Sequence, residues 1–189
     1  MRIIAGEARG RTIIAPKGQD TRPTQDYVRE SLFNILRSDV EGAQVLDLFA
    51  GSGALALEAL SRGAESAVMV DCAADAIQCI QRNVDALRMT ERAMVIRADW
   101  QPALERLTRS GAVFTLVFLD PPYRMGDLGP LCRQLADHGL LAPDALLVVE
   151  HSREFPPTPG PTFSQRDVRR YGDTEIHFFT FQGGETNRA

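Results

Sequence analysis

Val45-Leu46-Asp47-Leu48-Phe49-Ala50-Gly51-Ser52-Gly53 decides the fold. A short apolar run closes on an aspartate, two glycines follow, and residues 54–61 then carry Ala and Leu at helical spacing. The pattern reads as a strand entering a tight turn that opens a helix. Glycine suits such a turn because it accepts positive φ and lets other atoms approach the backbone closely. The same alternation recurs downstream. Residues 66–71 read as a strand and 73–88 as a helix; 94–97 as a strand, then a helix to about Arg109. Residues 113–119 form a fourth apolar run, a helix pattern spans about 127–138, and 146–150 give a fifth strand. Repeated βαβ units predict a parallel sheet with helices on both faces and right-handed crossovers. After the proline-rich stretch 156–161 the pattern changes. Residues 165–171 and 174–182 flank Gly172-Asp173 and predict a closing antiparallel hairpin.

Upstream of the deciding stretch, residues 2–5 and 11–15 are short β-prone runs around Gly6-Glu7-Ala8-Arg9-Gly10, which predicts a hairpin. A polar loop follows from Lys17 to Pro23. Thr24 is placed to cap a helix that carries Val28, Leu32, Ile35 and Leu36 on one face and ends before Gly42. The expected organisation is an N-terminal hairpin and helix over 1–38, an α/β domain over 39–183, and a frayed tail over 184–189.

The composition of the 189-residue chain is 44% hydrophobic and 24% charged, enough to bury a full core. The net charge of −4 argues against a protein that coats polyanions along its whole surface. Residues 1–37, however, hold seven basic and four acidic side chains, a local +3 on a body of −7. A basic arm of this kind points to local contact with a polyanion. The alternative is a solvated face of mixed charge. Cys72, Cys79 and Cys132 lack CxxC spacing and suggest neither disulfides nor a zinc site. His138, His151 and His177 look scattered and structural, so no metal is expected. The N-terminus has no apolar h-region, and no run approaches the ~20 residues needed to span a bilayer. These features predict a cytoplasmic protein without a membrane segment.

Three aspartates fall at successive strand ends: Asp47, Asp71 and Asp99. Each alone could be a turn former. Together, at the carboxyl edge where open α/β sheets bind ligands, they suggest a nucleoside site. A carboxylate after the second strand can accept from ribose hydroxyls, and one after the third from an adenine amine. Gly51-x-Gly53-x-x-Ala56, with Asp71 twenty residues on, also permits a dinucleotide. Against that, Asp47 sets a carboxylate where a pyrophosphate would lie. It suits instead a cofactor that carries an ammonium and a sulfonium, as S-adenosylmethionine does. A further signal is Asp120-Pro121-Pro122-Tyr123, directly after the fourth strand. Proline fixes its own φ and restricts its predecessor, so a carboxylate and a ring are held in a stiff elbow. Such an elbow suits a flat base bearing an amino group and has no role in hydride transfer.

These motifs resemble class I S-adenosylmethionine-dependent methyltransferases that act on exocyclic amines. Arg2-Ile3-Ile4-Ala5-Gly6, Arg9-Gly10-Arg11, Thr21-Arg22-Pro23-Thr24, Val28-Arg29-Glu30-Ser31-Leu32-Phe33-Asn34 and the stretch 46–63 narrow the match. Together they resemble the RsmD family of 16S rRNA guanine-N2 methyltransferases along nearly the whole chain. The resemblance implies a Rossmann-like seven-stranded sheet, mostly parallel with a C-terminal antiparallel hairpin, and a small N-terminal β-hairpin and helix extension. It implies a monomer acting on 16S rRNA or a small-subunit assembly intermediate. Carried onto this sequence, it implies that Asp47, Phe49, Ala50, Gly51, Gly53, Asp71 and Asp99 bind the cofactor, with Thr24 and Phe33 closing the pocket, although Phe33 could equally be a core residue on an apolar helix face. Asp120, Pro121 and Tyr123 would be catalytic. Arg9, Arg11, Lys17, Arg22 and Arg29 would meet RNA, although Arg22 and Arg29 could instead pair internally with Glu30 and Asp120. The Asp-Pro-Pro-Tyr elbow is shared with adenine-N6 DNA methyltransferases, which leaves those as the enzyme alternative. A non-catalytic nucleotide-binding regulator is the alternative of another class.

Overall fold

A computed structural model of the chain describes residues 1–16, 23–122 and 125–183, with the backbone alone for 23–25. The tail 184–189 lies outside the described residues. The chain divides into two compact units, residues 1–103 and 104–189.

The first unit opens with an extended segment that makes a single antiparallel bridge, Arg2 to Thr12. The expected hairpin forms as a short one: beside this bridge, the Ile3 N–H donates to the Arg11 carbonyl and the Ile13 N–H to the Met1 carbonyl, both at 3.0 Å, and the Gly10 N–H to the Ile3 carbonyl at 2.8 Å. The Ile4 and Ala5 N–H groups donate to the Glu58 carboxylate, at 2.8 and 3.0 Å. Gly6 has φ +83°, and a Cβ there would fall 1.7 Å from the Ser61 carbonyl oxygen, so no other residue fits. Helix α1 (Pro23–Ile35) and the short α2 (Arg37–Val40) follow. Thr24 therefore lies inside the helix instead of capping it, and the predicted single helix breaks at Leu36.

Strands β1 (Gln44–Asp47), β2 (Ser66–Asp71) and β3 (Ala93–Arg97) are parallel, in the order β3-β2-β1. Helices α3 (Ala54–Ser61) and α4 (Ala74–Leu87) make the crossovers. Every residue of α3 from Ala56 onward is buried, which explains its Ala/Leu composition. Leu46, Leu48, Leu57, Leu60, Met69 and Ile80 are fully buried and form the centre of this core. Helix α5 (Trp100–Arg109) contains the division between the units.

The second unit carries β4 (Phe114–Leu119), α6 (Gly129–Asp137), β5 (Leu141–Ser152), β6 (Phe163–Tyr171) and β7 (Thr174–Phe181). The strand order is β4-β5-β7-β6. The β4–β5 pair is parallel, and β5–β7 and β7–β6 are antiparallel, so the C-terminal hairpin is where the sequence put it. Phe118 and Phe178 are its largest fully buried side chains.

Candidate active site

In the first unit the candidate cofactor residues gather at the carboxyl ends of β1 and β2. Asp47 is buried at the last position of β1. The chain then turns through Phe49, Ala50 and Gly51, the Ala50 N–H donating to the Val70 carbonyl at 2.9 Å. Gly51 and Gly53 have φ of +55° and +76°. A Cβ on Gly53 would come within 3.0 Å of Met69 Sδ, so a side chain there is opposed both by the backbone and by the core beneath. Asp71, at the end of β2, accepts from the Gly51 N–H at 2.9 Å and the Ala73 N–H at 2.8 Å. One carboxylate thus fixes the glycine turn and starts α4, and each of its oxygens keeps a lone pair for a further donor. Asp99 follows β3, exposed, and its carbonyl receives the Ala103 N–H of α5.

The sequence did not single out Asn83, yet this side chain ties the turn to the N-terminal segment. It is 2% exposed; its Nδ2 donates to the Ser52 and Ile14 carbonyls, both at 2.9 Å, and its Oδ1 accepts from the Ile14 N–H at 2.8 Å. Its place at a buried position of an amphipathic helix was the available signal, because a buried amide must be satisfied.

Two of the N-terminal candidates are buried. Phe33 is 0% exposed and lies beneath the Arg62 guanidinium, 4.9 Å from the ring centroid. Arg29 is only 5% exposed; it donates to the Arg2 carbonyl at 2.5 Å and to Asp26 at 3.1 Å, with Glu58 at 3.9 Å. It pairs internally, with partners other than Glu30 and Asp120, and is removed from the surface open to phosphate. Arg11 is exposed but donates to the Leu87 and Ala86 carbonyls at the end of α4. Arg9 is exposed. Lys17, Arg22 and the side chain of Thr24 lie outside the described residues.

In the second unit Asp120 and Pro121 follow β4 directly. The Asp120 side chain meets solvent and Pro121 is buried. Desolvation by the surrounding protein raises the Asp120 carboxyl to about 6. Tyr123 lies outside the described residues. Pro121 and Pro122 share a pocket with Glu150, His151, Ser152 and Phe155.

Two histidines expected to be scattered come together. The antiparallel register pairs His151 with Glu175 and Val149 with His177, so His151 and His177 share one face of the sheet with ring centroids 4.7 Å apart. Among the described residues, His151, Glu175 and His177 are a group of ligand-bearing side chains within 4.8 Å of one another. Glu175 is already held by Arg170 at 2.8 Å. Burial holds His177 below the usual imidazole range.

The family described as "Conserved hypothetical protein 95" matches residues 1–180. The chain is 40% identical over 185 residues to "Putative rRNA methyltransferase YlbH" of Bacillus subtilis, spanning 97% of this chain and all of that one. It is 42% identical over 154 residues to "Ribosomal RNA small subunit methyltransferase D" of Escherichia coli K12, spanning 82% and 76% of the two chains. The chain belongs to the RsmD family. The solved "Putative methyltransferase yhhF from Escherichia coli" matches with a TM-score of 0.84 at 36% identity, over 97% of this chain and 99% of that one. The Rossmann-like, seven-stranded, mostly parallel sheet expected of an RsmD-family methyltransferase is therefore the fold. Among the described residues, no helix is long and apolar enough to cross a membrane.

Proposed function

We infer that this RsmD-family protein methylates the exocyclic 2-amino group of a guanosine in 16S ribosomal RNA, with S-adenosylmethionine as methyl donor. The observation that carries the reading is an exposed carboxylate followed by two prolines at the carboxyl end of a buried strand, in a chain of this family.

The glycine turn fits the cofactor. Positive φ at Gly51 and Gly53 keeps side chains away from the turn, and the buried Asp47 carboxylate suits an ammonium group. Asp71 would hold the ribose through its remaining lone pairs, and the exposed Asp99 would accept from the adenine amine. Bound there, S-adenosylmethionine supplies an electrophilic sulfonium methyl.

Methyl transfer to nitrogen is an in-line displacement, so aim determines most of its rate. The guanine 2-amino lone pair is delocalised into the ring and attacks poorly. Asp120 and the Pro121 carbonyl would each accept one of its N–H bonds, which lets the nitrogen pyramidalise and directs its lone pair. Asp120 would also stabilise the positive charge that develops on nitrogen. With a carboxyl titrating near 6, Asp120 is ionised at neutral pH and can do both. Tyr123 would stack on the base, a contact worth about 1–3 kcal/mol in other base–aromatic pairs. The base must leave its own stack to reach the elbow.

Arg9 and Arg11, with Lys17 and Arg22, would make phosphate contacts that position RNA without reading its sequence. We place the protein in the cytoplasm as a monomer, its substrate a folded RNA or small-subunit assembly intermediate and not a free nucleotide. The test is incubation of purified protein and labelled S-adenosylmethionine with unmethylated small-subunit particles, 16S rRNA, guanosine and duplex DNA. Label in N2-methylguanosine from particle or rRNA supports the reading. Label in DNA adenine, or equal labelling of free guanosine, refutes it.

A further inference from the structure

Resting on that reading, the geometry points to Glu150 as the residue that selects guanine: its carboxyl pairs with the lactam face of the target base, N1–H and O6, while Asp120 holds the 2-amino group. The placement comes from the sheet. In the parallel β4–β5 pair Leu119 is in register with Val149, so the next positions are neighbours: Asp120, just past the end of β4, and Glu150, near the carboxyl end of β5. Glu150 is half-buried and lines the pocket that contains Pro121, Pro122, His151 and Ser152. Phe155, 47% exposed, also lines that pocket. Among the described residues, neither a cation nor a hydrogen-bond donor meets the Glu150 carboxyl.

A half-buried acid with no partner is costly to maintain, and such groups concentrate where a ligand completes them. The ligand here must be flat, to lie against Phe155 and the prolines, and must carry a polar edge next to the amine that Asp120 takes. Guanine has that edge. A neutral carboxyl accepts one hydrogen bond at its carbonyl oxygen and donates one from its hydroxyl, matching N1–H and O6 in a two-bond pair. Adenine offers a bare lone pair at N1 and cannot complete it. The protonation state agrees: burial, reinforced by the charge of Asp120, raises Glu150 to about 8, so it keeps its proton at neutral pH. Among the described residues, the other titratable group lining the pocket is His151, and the residue facing Glu150 from β7 is the apolar Ile176.

The experiment compares RNA substrates that carry guanosine or 2-aminopurine riboside at the target position. The analogue keeps the 2-amino group but lacks both N1–H and O6. Wild-type protein should prefer guanosine by about ten- to a hundredfold in kcat/KM, the scale of losing two ordinary hydrogen bonds. Glu150→Gln retains an acceptor and a donor in the same shape, so it should keep that ratio. The wild-type ratio should fall as pH rises past about 8, where Glu150 ionises, and the Gln variant should not follow. Glu150→Met, similar in volume and unable to pair, should bring the ratio to within about threefold of unity. An unchanged ratio in the Met variant, or equal loss in Gln and Met, overturns the proposal. Absence of guanosine methylation by wild-type protein would instead refute the function on which it rests, so the two failures are distinguishable.

Discussion

Removing the Glu58 carboxylate should detach the N-terminal segment from the first unit. Glu58 is 0% exposed and accepts from the Ile4 N–H at 2.8 Å, the Ala5 N–H at 3.0 Å and Arg62 Nε at 2.7 Å. Arg29 Nε, 3.9 Å away, is buried and has no hydrogen-bond acceptor of its own. Glu58→Ala deletes three charge-assisted hydrogen bonds, opens a cavity, and leaves the buried Arg29 without its nearest buried counter-charge. Breaking one side of a buried ion pair costs about 3–5 kcal/mol, and we expect a loss in that range. Glu58→Gln keeps the shape and one acceptor oxygen and should lose about 1–3 kcal/mol. Urea unfolding at fixed pH measures both. For a chain of this size the alanine variant should melt roughly 6–20 °C lower. Hydrogen exchange adds a local readout: the Ile4 and Ala5 amides should lose protection more than the amides of β1 and β2. A loss below about 1 kcal/mol for Glu58→Ala would refute the claim that this carboxylate anchors the segment.

Three further outcomes follow. Asp120→Ala should lower turnover by at least about 10²-fold, the scale of losing one preorganised stabilising group, while calorimetry shows S-adenosylmethionine affinity unchanged within about threefold; intact turnover would show Asp120 to be misassigned. Asn83→Ala strands the Ser52 carbonyl in a buried site and removes the part-buried bonds to Ile14, and should cost about 1–3 kcal/mol in urea unfolding, with weaker cofactor binding because the glycine turn loses its brace; wild-type stability would refute the bracing role. Glu150 titrates near 8 in the folded protein and near 4.5 when unperturbed, so over that window the folded state holds a proton that the unfolded chain has released. Stability should therefore fall as pH rises from about 4.5 to 8, and Glu150→Gln should flatten the decline; parallel profiles for the two proteins would contradict the raised value.

The alternating βαβ elements were legible in the sequence because each strand is a short apolar run bounded by turn residues, and their positions shift only at the ends. The glycine turn and Asp-Pro-Pro elbow were equally legible, since each needs residue types that few other contexts demand. Hydrogen bonds made across long sequence separations were not. The N-terminal hairpin forms, but nothing in its own residues shows that its Ile4 and Ala5 N–H groups pair with Glu58, more than fifty residues away. Arg29 stayed open between RNA phosphate and an internal ion pair because the buried Glu58 carboxylate near it sits in α3, far away in the sequence. Phe33 lies on an apolar helix face, which marks core and pocket alike, and the structure places it in the core. The pairing of Asp120 with Glu150 depends on strand register, which neither local pattern reveals.

The central claim is that this protein places one methyl group on the 2-amino nitrogen of a 16S rRNA guanosine through its Asp-Pro-Pro elbow. Mass mapping of 16S rRNA from cells lacking the protein, and from the same cells supplied with wild type or Asp120→Ala, tests it most directly. We predict a single N2-methylguanosine absent from the deletion strain, restored by wild type and not by the variant. A full set of methylguanosines in the deletion strain, or restoration by Asp120→Ala, would contradict it.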